Sequence, residues 1–413
     1  MSIPYEKKLD NSFALMREGY LFISNRINKY NSNIFKTRLM AQEVICMRGK
    51  EAAELLCDKE RFQRYNAIPK RIQKTLFGQN AIQTLDSNAH IHRKNLFLSL
   101  LTPENDKRIA DLTLEQWRQS ASKWEGVEEI ELFAEAKNIL CWVSCRWAGI
   151  PLQKSDLKEI ANNFYAMIDA FGGLGPRYWK GKYARGKIEH WIGQIIDDTR
   201  AGKLKPDRSS ALYAMSFYKE ADGVQLDTHM AAIELINIIR PIIAVATFIT
   251  FSALALYQYP QYKEKLRTDN NYYELYVQEV RRYFPLTPFL GAKAKKDFIW
   301  YQCEFKKDMI VLLDVYGMNH DPKIWENPNK FNPERFMNWR DNLYDFIPQG
   351  GGNSATGHRC PGEGVTKEIM KASLNFLVNM IDYDVPEQDL SFSLSRMPTL
   401  PKDKFIINNV SVK

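Results

Sequence analysis

Phe346-Ile-Pro-Gln349-Gly-Gly-Gly-Asn353-Ser-Ala-Thr-Gly357-His358-Arg359-Cys360-Pro361-Gly362-Glu363 is the stretch on which the fold of this chain turns. Its glycines make a loop, and the apolar periodicity of residues 362–381 makes a long helix directly after it. Cys360 reads as the N-cap of that helix, Pro361 as its first residue and Glu363 as part of its first turn. A thiol there lies at the positive end of the helix and beside Arg359 and His358. Those influences lower its pKa and favour thiolate. A thiolate behind flexible glycines suits metal ligation or nucleophilic chemistry. The other cysteines, Cys46, Cys57, Cys141, Cys145 and Cys303, stand in apolar stretches and read as core thiols.

Around this loop lie 413 residues, 45% apolar and 12% aromatic, enough to enclose a sizeable ligand and too apolar for disorder. The net charge of +8 is spread along the chain without a basic tail or stripe, so nucleic acid is not the expected partner. Six scattered cysteines without a CxxC pair exclude a disulfide framework and argue against structural zinc. The first residues, Met1-Ser-Ile-Pro-Tyr-Glu-Lys-Lys8, show neither a signal peptide nor a membrane anchor. Residues 241–262 carry no charge but start at a proline and are interrupted by Thr247, Thr250, Ser252 and Gln258. They read as a buried helix of a cytoplasmic protein with no transmembrane anchor.

Helical spacing dominates. Residues 10–31 read as a helix with Phe13, Met16, Tyr20 and Ile27 among its apolar positions, followed by β-rich stretches at 35–40 and 43–47 and a short helix at 50–57. From 89 to 259 helices run with breaks at 102–103, 149–151 and the Gly/Pro corner 171–176, the place for a mobile lid. A helix at 272–284 and strands within 290–313 precede the cysteine loop. The expectation is one domain, residues 1–413, mainly α with small β-sheets.

Arg240 is the anomaly of this pattern. It enters the apolar run Glu234-Leu-Ile-Asn237-Ile-Ile-Arg240-Pro241-Ile-Ile, where an unpaired charge costs several kcal/mol, about 3–5 if its partner is absent. Ile236, Asn237, Ile243 and Ala244 occupy the positions three and four away, so its carboxylate must come from elsewhere in the protein, from solvent or from a ligand. Pro241 costs the helix about 3 kcal/mol and frees the carbonyl of Asn237. On other helices, Glu279 and Arg282 share a face and can pair, as do His90 and Lys94.

The run His358-Arg-Cys-Pro-Gly-Glu363 resembles the haem-thiolate loop of the cytochrome P-450 family. Glu279-Val-Arg-Arg282 resembles that family's Glu-x-x-Arg motif, and Pro333-Glu-Arg335-Phe336 the segment whose arginine joins that pair. Asp86-Ser-Asn-Ala-His90-Ile-His-Arg-Lys94 resembles its helix that sends cations to a haem propionate. The likeness spans residues 10–407 and implies the cytochrome P-450 fold, with haem b (iron protoporphyrin IX) between the central helix and the cysteine loop. Cys360 would then be the axial iron ligand, with His90, Lys94, His358 and Arg359 around the cofactor and Glu279, Arg282 and Arg335 as a structural network. The usual acid–threonine pair of the central helix is absent. Arg240-Pro241, the long loop before Cys360 and Asn80-Ala-Ile-Gln83 resemble the bacterial fatty-acid peroxygenases instead.

That resemblance implies a long-chain fatty acid gripped by Arg240, with its carboxylate acting as general acid–base toward hydrogen peroxide and no redox partner required. Position 83 is histidine in members that form terminal alkenes, and often glutamine in hydroxylating ones. Gln83 therefore points to hydroxylation at the α or β carbon. Leu76, Phe77, Phe171, Leu174, Phe289 and Leu290 are expected along the tail channel, Leu174 with a part in α-against-β preference. The competing readings are a decarboxylase, a redox-partner-dependent monooxygenase and a haem sensor or carrier without turnover.

Overall fold

Residues 3–7, 9–340 and 342–413 are described in this computed structural model; Met1, Ser2 and Lys8 of the N-terminal stretch, and Asp341, lie outside them. Most of the chain is helical, with three small sheets. The five-stranded sheet contains β1 (Ile34–Leu39), β2 (Gln42–Met47), β3 (Phe62–Gln63), β4 (Phe289–Ala294) and β5 (Ile310–Asp314), in the order β1-β2-β5-β4-β3. β1 and β2 form a hairpin with Ile34 opposite Met47, while β2 runs parallel to β5 with Val44 opposite Ile310. Alternation on β1 turns Phe35, Thr37 and Leu39 inward.

Before that sheet, the 10–31 pattern divides into α1 (Ser12–Glu18) and α2 (Phe22–Tyr30). The break is at Gly19, whose φ is +56° and whose missing Cβ would lie 2.2 Å from the carbonyl oxygen of Leu394. Only a glycine accepts both conditions. Tyr20 and Ile27 are buried as expected, but Phe13 and Met16 face solvent.

The remaining helices that build the site are α3 (Ser87–Leu100), α4 (Thr228–Gln258), α5 (Tyr272–Tyr283) and α6 (Glu363–Asn375). α4 is capped by the Asp227 carboxylate, which accepts the Met230 N–H at 2.7 Å, and carries Pro241 inside it. It is long and apolar enough to cross a membrane, yet 89% of its most apolar stretch is buried in the protein. It is the core helix that the pattern predicts.

The breaks at 102–103, 149–151 and 171–176 all occur, with further ones at 122–131, 201–210 and 218–227. Thr102 caps the helix beginning at Pro103, and Gly149 ends its helix at φ +79°. The 171–176 corner is pinned: Gly172 N–H donates to Met397 O at 3.2 Å and Arg177 holds the same oxygen at 2.7 Å.

Candidate active site

α6 starts at Glu363 with Gly362 as its cap, so Cys360 lies two residues outside the position expected for it. The loop holds Cys360 by its neighbours instead. Its N–H donates to Gln349 O at 3.0 Å, and the Gln349 amide nitrogen stands 3.7 Å from Sγ and 3.1 Å from Thr366 Oγ1. The Arg359 guanidinium is engaged by Glu363 at 2.8 Å, and Arg281 reaches the same carboxylate as well as Gln349 Oε1 at 2.9 Å. Burial therefore dominates the thiol and pushes its pKa up, against the Gly362 N–H and the more distant Lys94. The expected cationic activation by Arg359 and His358 does not arise, because one is neutralised and the other uncharged.

α3 meets this loop from the side. Lys94 Nζ donates to Gly357 O at 2.9 Å and Arg359 O at 2.7 Å, tying the helix to the cysteine turn rather than extending a free cation. The His90 and His358 rings lie 4.0 Å apart, centroid to centroid, and Asp86 is 3.7 Å from His358. Burial pulls His90 down to about 3 and His358 to about 4, so both are neutral imidazoles at pH 7. These two corrections have one cause: the helix face predicted to be cationic is covered by the loop.

On α5, Arg282 clasps Glu279 with two bonds of 2.7 Å, both side chains fully shielded from solvent. Arg335 adds a contact of 3.2 Å and the Asn332 N–H another of 2.8 Å. Arg282 also donates to Asn319 O at 2.7 Å. Every oxygen and most guanidinium protons are satisfied, which is what makes a fully buried ion pair tolerable.

α4 brings Arg240 to the cavity that Cys360 also lines. The arginine is 6% exposed, no carboxylate among the described residues pairs with it, and its Nε has no hydrogen-bond partner. Its one polar contact among the described residues is Nη2 to Asn237 Oδ1 at 3.4 Å, with the Phe77 ring 5.6 Å from the guanidinium. Burial pulls its pKa down to about 9, with Arg185 adding repulsion. Asn237 is the hub of this wall: its Nδ2 lies 2.9 Å from Phe77 O, 3.2 Å from Glu234 and 3.4 Å from Gln83 Oε1. Glu234 cannot serve Arg240, since its carboxylate already takes the Ile82 N–H and Arg93, each at 2.8 Å.

Both walls line one cavity of about 1490 Å³. Ordinary small-molecule sites occupy roughly 300–1,000 Å³, so this space suits two ligands together. Leu76, Phe77, Gln83, Phe171, Pro241, Phe289 and Leu290 line it as expected. Leu174 does not: it is 48% exposed in the turn made by Gly175 at φ +55°. Among the described residues no three His, Cys, Asp or Glu side chains cluster as a metal site, so a metal on Cys360 must bring its other ligands, as a porphyrin does. Arg64 lines the same cavity, its guanidinium donating to Gly291 O, and is a cation suited to a carboxylate of such a macrocycle. Sequence reading missed Arg64, Gln349, Arg281 and Asn237 as site residues. The last two were visible, Arg281 inside the Glu279 motif and Asn237 one turn before Arg240.

The family model of cytochrome P-450 matches residues 247–408. The structure of cytochrome P-450EX alpha with myristic acid is 40% identical, matched over 100% of both chains at a TM-score of 0.97. A variant of cytochrome P-450 OleT in complex with arachidonic acid is 37% identical over 100% of this chain and 99% of its own, also at 0.97. Among curated proteins, beta-amyrin 28-monooxygenase of Kalopanax septemlobus is 24% identical over 94% of this chain and 87% of its own length.

Proposed function

We propose that this chain, which belongs to the cytochrome P-450 family, is a haem-thiolate peroxygenase that hydroxylates long-chain fatty acids at the α or β carbon with hydrogen peroxide. One observation carries the reading: a buried guanidinium that no carboxylate among the described residues pairs with and a half-buried thiol line the same largely apolar cavity. The acids held by the two similar structures, myristic and arachidonic, support the substrate class.

Cys360 would hold the iron of haem b, with Arg64, His90 and Lys94 along its edge and His358 and Arg359 in the loop beneath. Bound there, haem supplies the redox chemistry that activates peroxide and oxidises a C–H bond. Arg240 binds the fatty-acid carboxylate through its planar fork, relieving its own unpaired burial. Asn237 Oδ1 accepts from the guanidinium, and the Nδ2 of the same amide donates to Gln83 Oε1. Among the described residues no carboxylate pairs with Arg240, so a carboxylate oxygen of the substrate takes and returns the peroxide proton. Leu76, Phe77, Phe171, Phe289 and Leu290 hold the tail and exclude water. Carbons next to the gripped carboxylate are the ones presented for reaction. In this reading the chain works as one domain in the cytoplasm and needs no electron-transfer partner.

Product analysis by gas chromatography–mass spectrometry tests this. The haem-loaded protein, given tetradecanoic acid and hydrogen peroxide without a reductase, is expected to release 2- or 3-hydroxy acid. Turnover only after adding electron-transfer proteins would establish the conventional monooxygenase instead. Gln83→His is expected to raise the share of terminal alkene, because imidazole exchanges a proton near neutral pH and an amide does not. An unchanged product ratio would remove Gln83 from the outcome.

A further inference from the structure

We propose that the cavity rim around α1 is a docking surface for an anionic lipid bilayer, from which the chain takes its acid. The choice of acid rests on the reading above; the surface itself does not. α1 is Ser-Phe-Ala-Leu-Met-Arg-Glu, with four apolar side chains in its first five positions, yet none of its residues is buried. Leu9 is 87% exposed and Phe13 73%, and Met40, at the turn between β1 and β2, is 62% exposed.

These side chains stand on an ordered base. The Asn11 N–H donates to Arg38 O at 2.8 Å, Met40 N–H to Ser12 Oγ at 2.7 Å and Ala41 N–H to Asp10 at 2.6 Å. Residues 9–13 and the hairpin turn are therefore tied together, with Leu9, Phe13 and Met40 exposed on the joined segments. Their inner edge is the cavity itself, lined by Ser12, Leu15, Met16, Leu39 and Met40. Chain and cavity meet solvent at the same place.

The charge around it selects the occupant. Arg17 follows Phe13 by four residues on the same helical face, and Arg38 lies on the strand beneath. Lys70 and Lys307 are exposed and line the mouth. Against these stand Glu43 and Asp10, the latter an exposed carboxylate kept ionised by Ser12 and Ala41, while Asp308 is paired with Lys293; the cations still outnumber them. Exposed leucine and phenylalanine rimmed by cations match the acyl boundary and headgroups of an anionic leaflet. The mouth would then open where a fatty acid is most concentrated.

Co-sedimentation of the haem-loaded protein with phosphatidylcholine vesicles, with and without phosphatidylglycerol, tests the surface without reference to turnover. The wild type is expected to bind the anionic vesicles at least tenfold more. The double variant Leu9→Glu/Phe13→Glu, neither residue lining the cavity, is expected to lose at least fivefold of that binding with its haem spectrum and melting temperature unchanged. Raised salt should reduce binding as well. Absence of wild-type binding, or equal binding by the double variant, overturns the proposal. So does a dimer that depends on Leu9 and Phe13 and leaves vesicles unbound. Loss of fatty-acid turnover with vesicle binding intact would overturn the enzymatic reading and not this one.

Discussion

Replacing Arg240 by alanine is expected to lower peroxide-dependent turnover of a long-chain acid by about 10²–10⁴-fold, the range spanned by losing a positioned general acid–base. The loss has two parts. The carboxylate no longer has a cation to hold it, and the proton it should carry is no longer aligned with peroxide. Stability should move the other way or not at all, because the variant removes a buried charge that no carboxylate among the described residues neutralises. Comparing kcat/KM with the thermal midpoint of haem-loaded protein separates these effects. An arginine that serves only the fold would show the reverse, a lowered midpoint with turnover kept. Arg240→Lys should recover little, since an ammonium lacks the two-pronged geometry.

Glu279→Ala is expected to cost about 3–5 kcal/mol of stability, the penalty for leaving a buried charge without its partner. Arg282 has no exposure with which to find water, and Arg335 and the Asn332 N–H lose the same oxygens. That loss is a large part of the whole stability of a typical domain, about 5–15 kcal/mol, so poor folding at 37 °C is an expected sign. Arg335→Ala leaves the Glu279–Arg282 clasp intact and should cost clearly less. Urea unfolding of the two variants gives the comparison through their midpoints at constant slope. A change below about 1 kcal/mol for Glu279→Ala would mean the pair behaves like an exposed one.

Local chemistry was legible before the fold was known. A cysteine followed by proline and glycine at a loop–helix junction, and an arginine inside an apolar run, both announce constraints that packing alone does not require. The cavity brings these two together although 120 residues separate them, Arg240 to Cys360. What failed were inferences that needed a tertiary neighbour. His90, His358 and Arg359 read as cations, but burial keeps the two imidazoles neutral and Glu363 pairs with Arg359. Phe13 and Met16 have helical spacing like Tyr20, yet they are exposed on the short helix that ends where Gly19 fits against Leu394. Leu174 carries the composition of a channel residue and the exposure of a turn. Arg64 sits in a segment whose approach to the cavity comes from chain topology, and Gln349, inside the cysteine loop, reaches Sγ only through the fold of that loop.

The pairing of a buried cation with a substrate anion is tested most directly by titrating haem-loaded protein with tetradecanoic acid and with tetradecanol, in the wild type and in Arg240→Ala. Hydrogen bonds to charged groups contribute about 1.5–3 kcal/mol, so the wild type should bind the acid about 10–150-fold more tightly than the alcohol. The variant should bind both alike. Equal affinities in the wild type, or a preference for the acid that survives in Arg240→Ala, would contradict Arg240 as the receptor of the carboxylate.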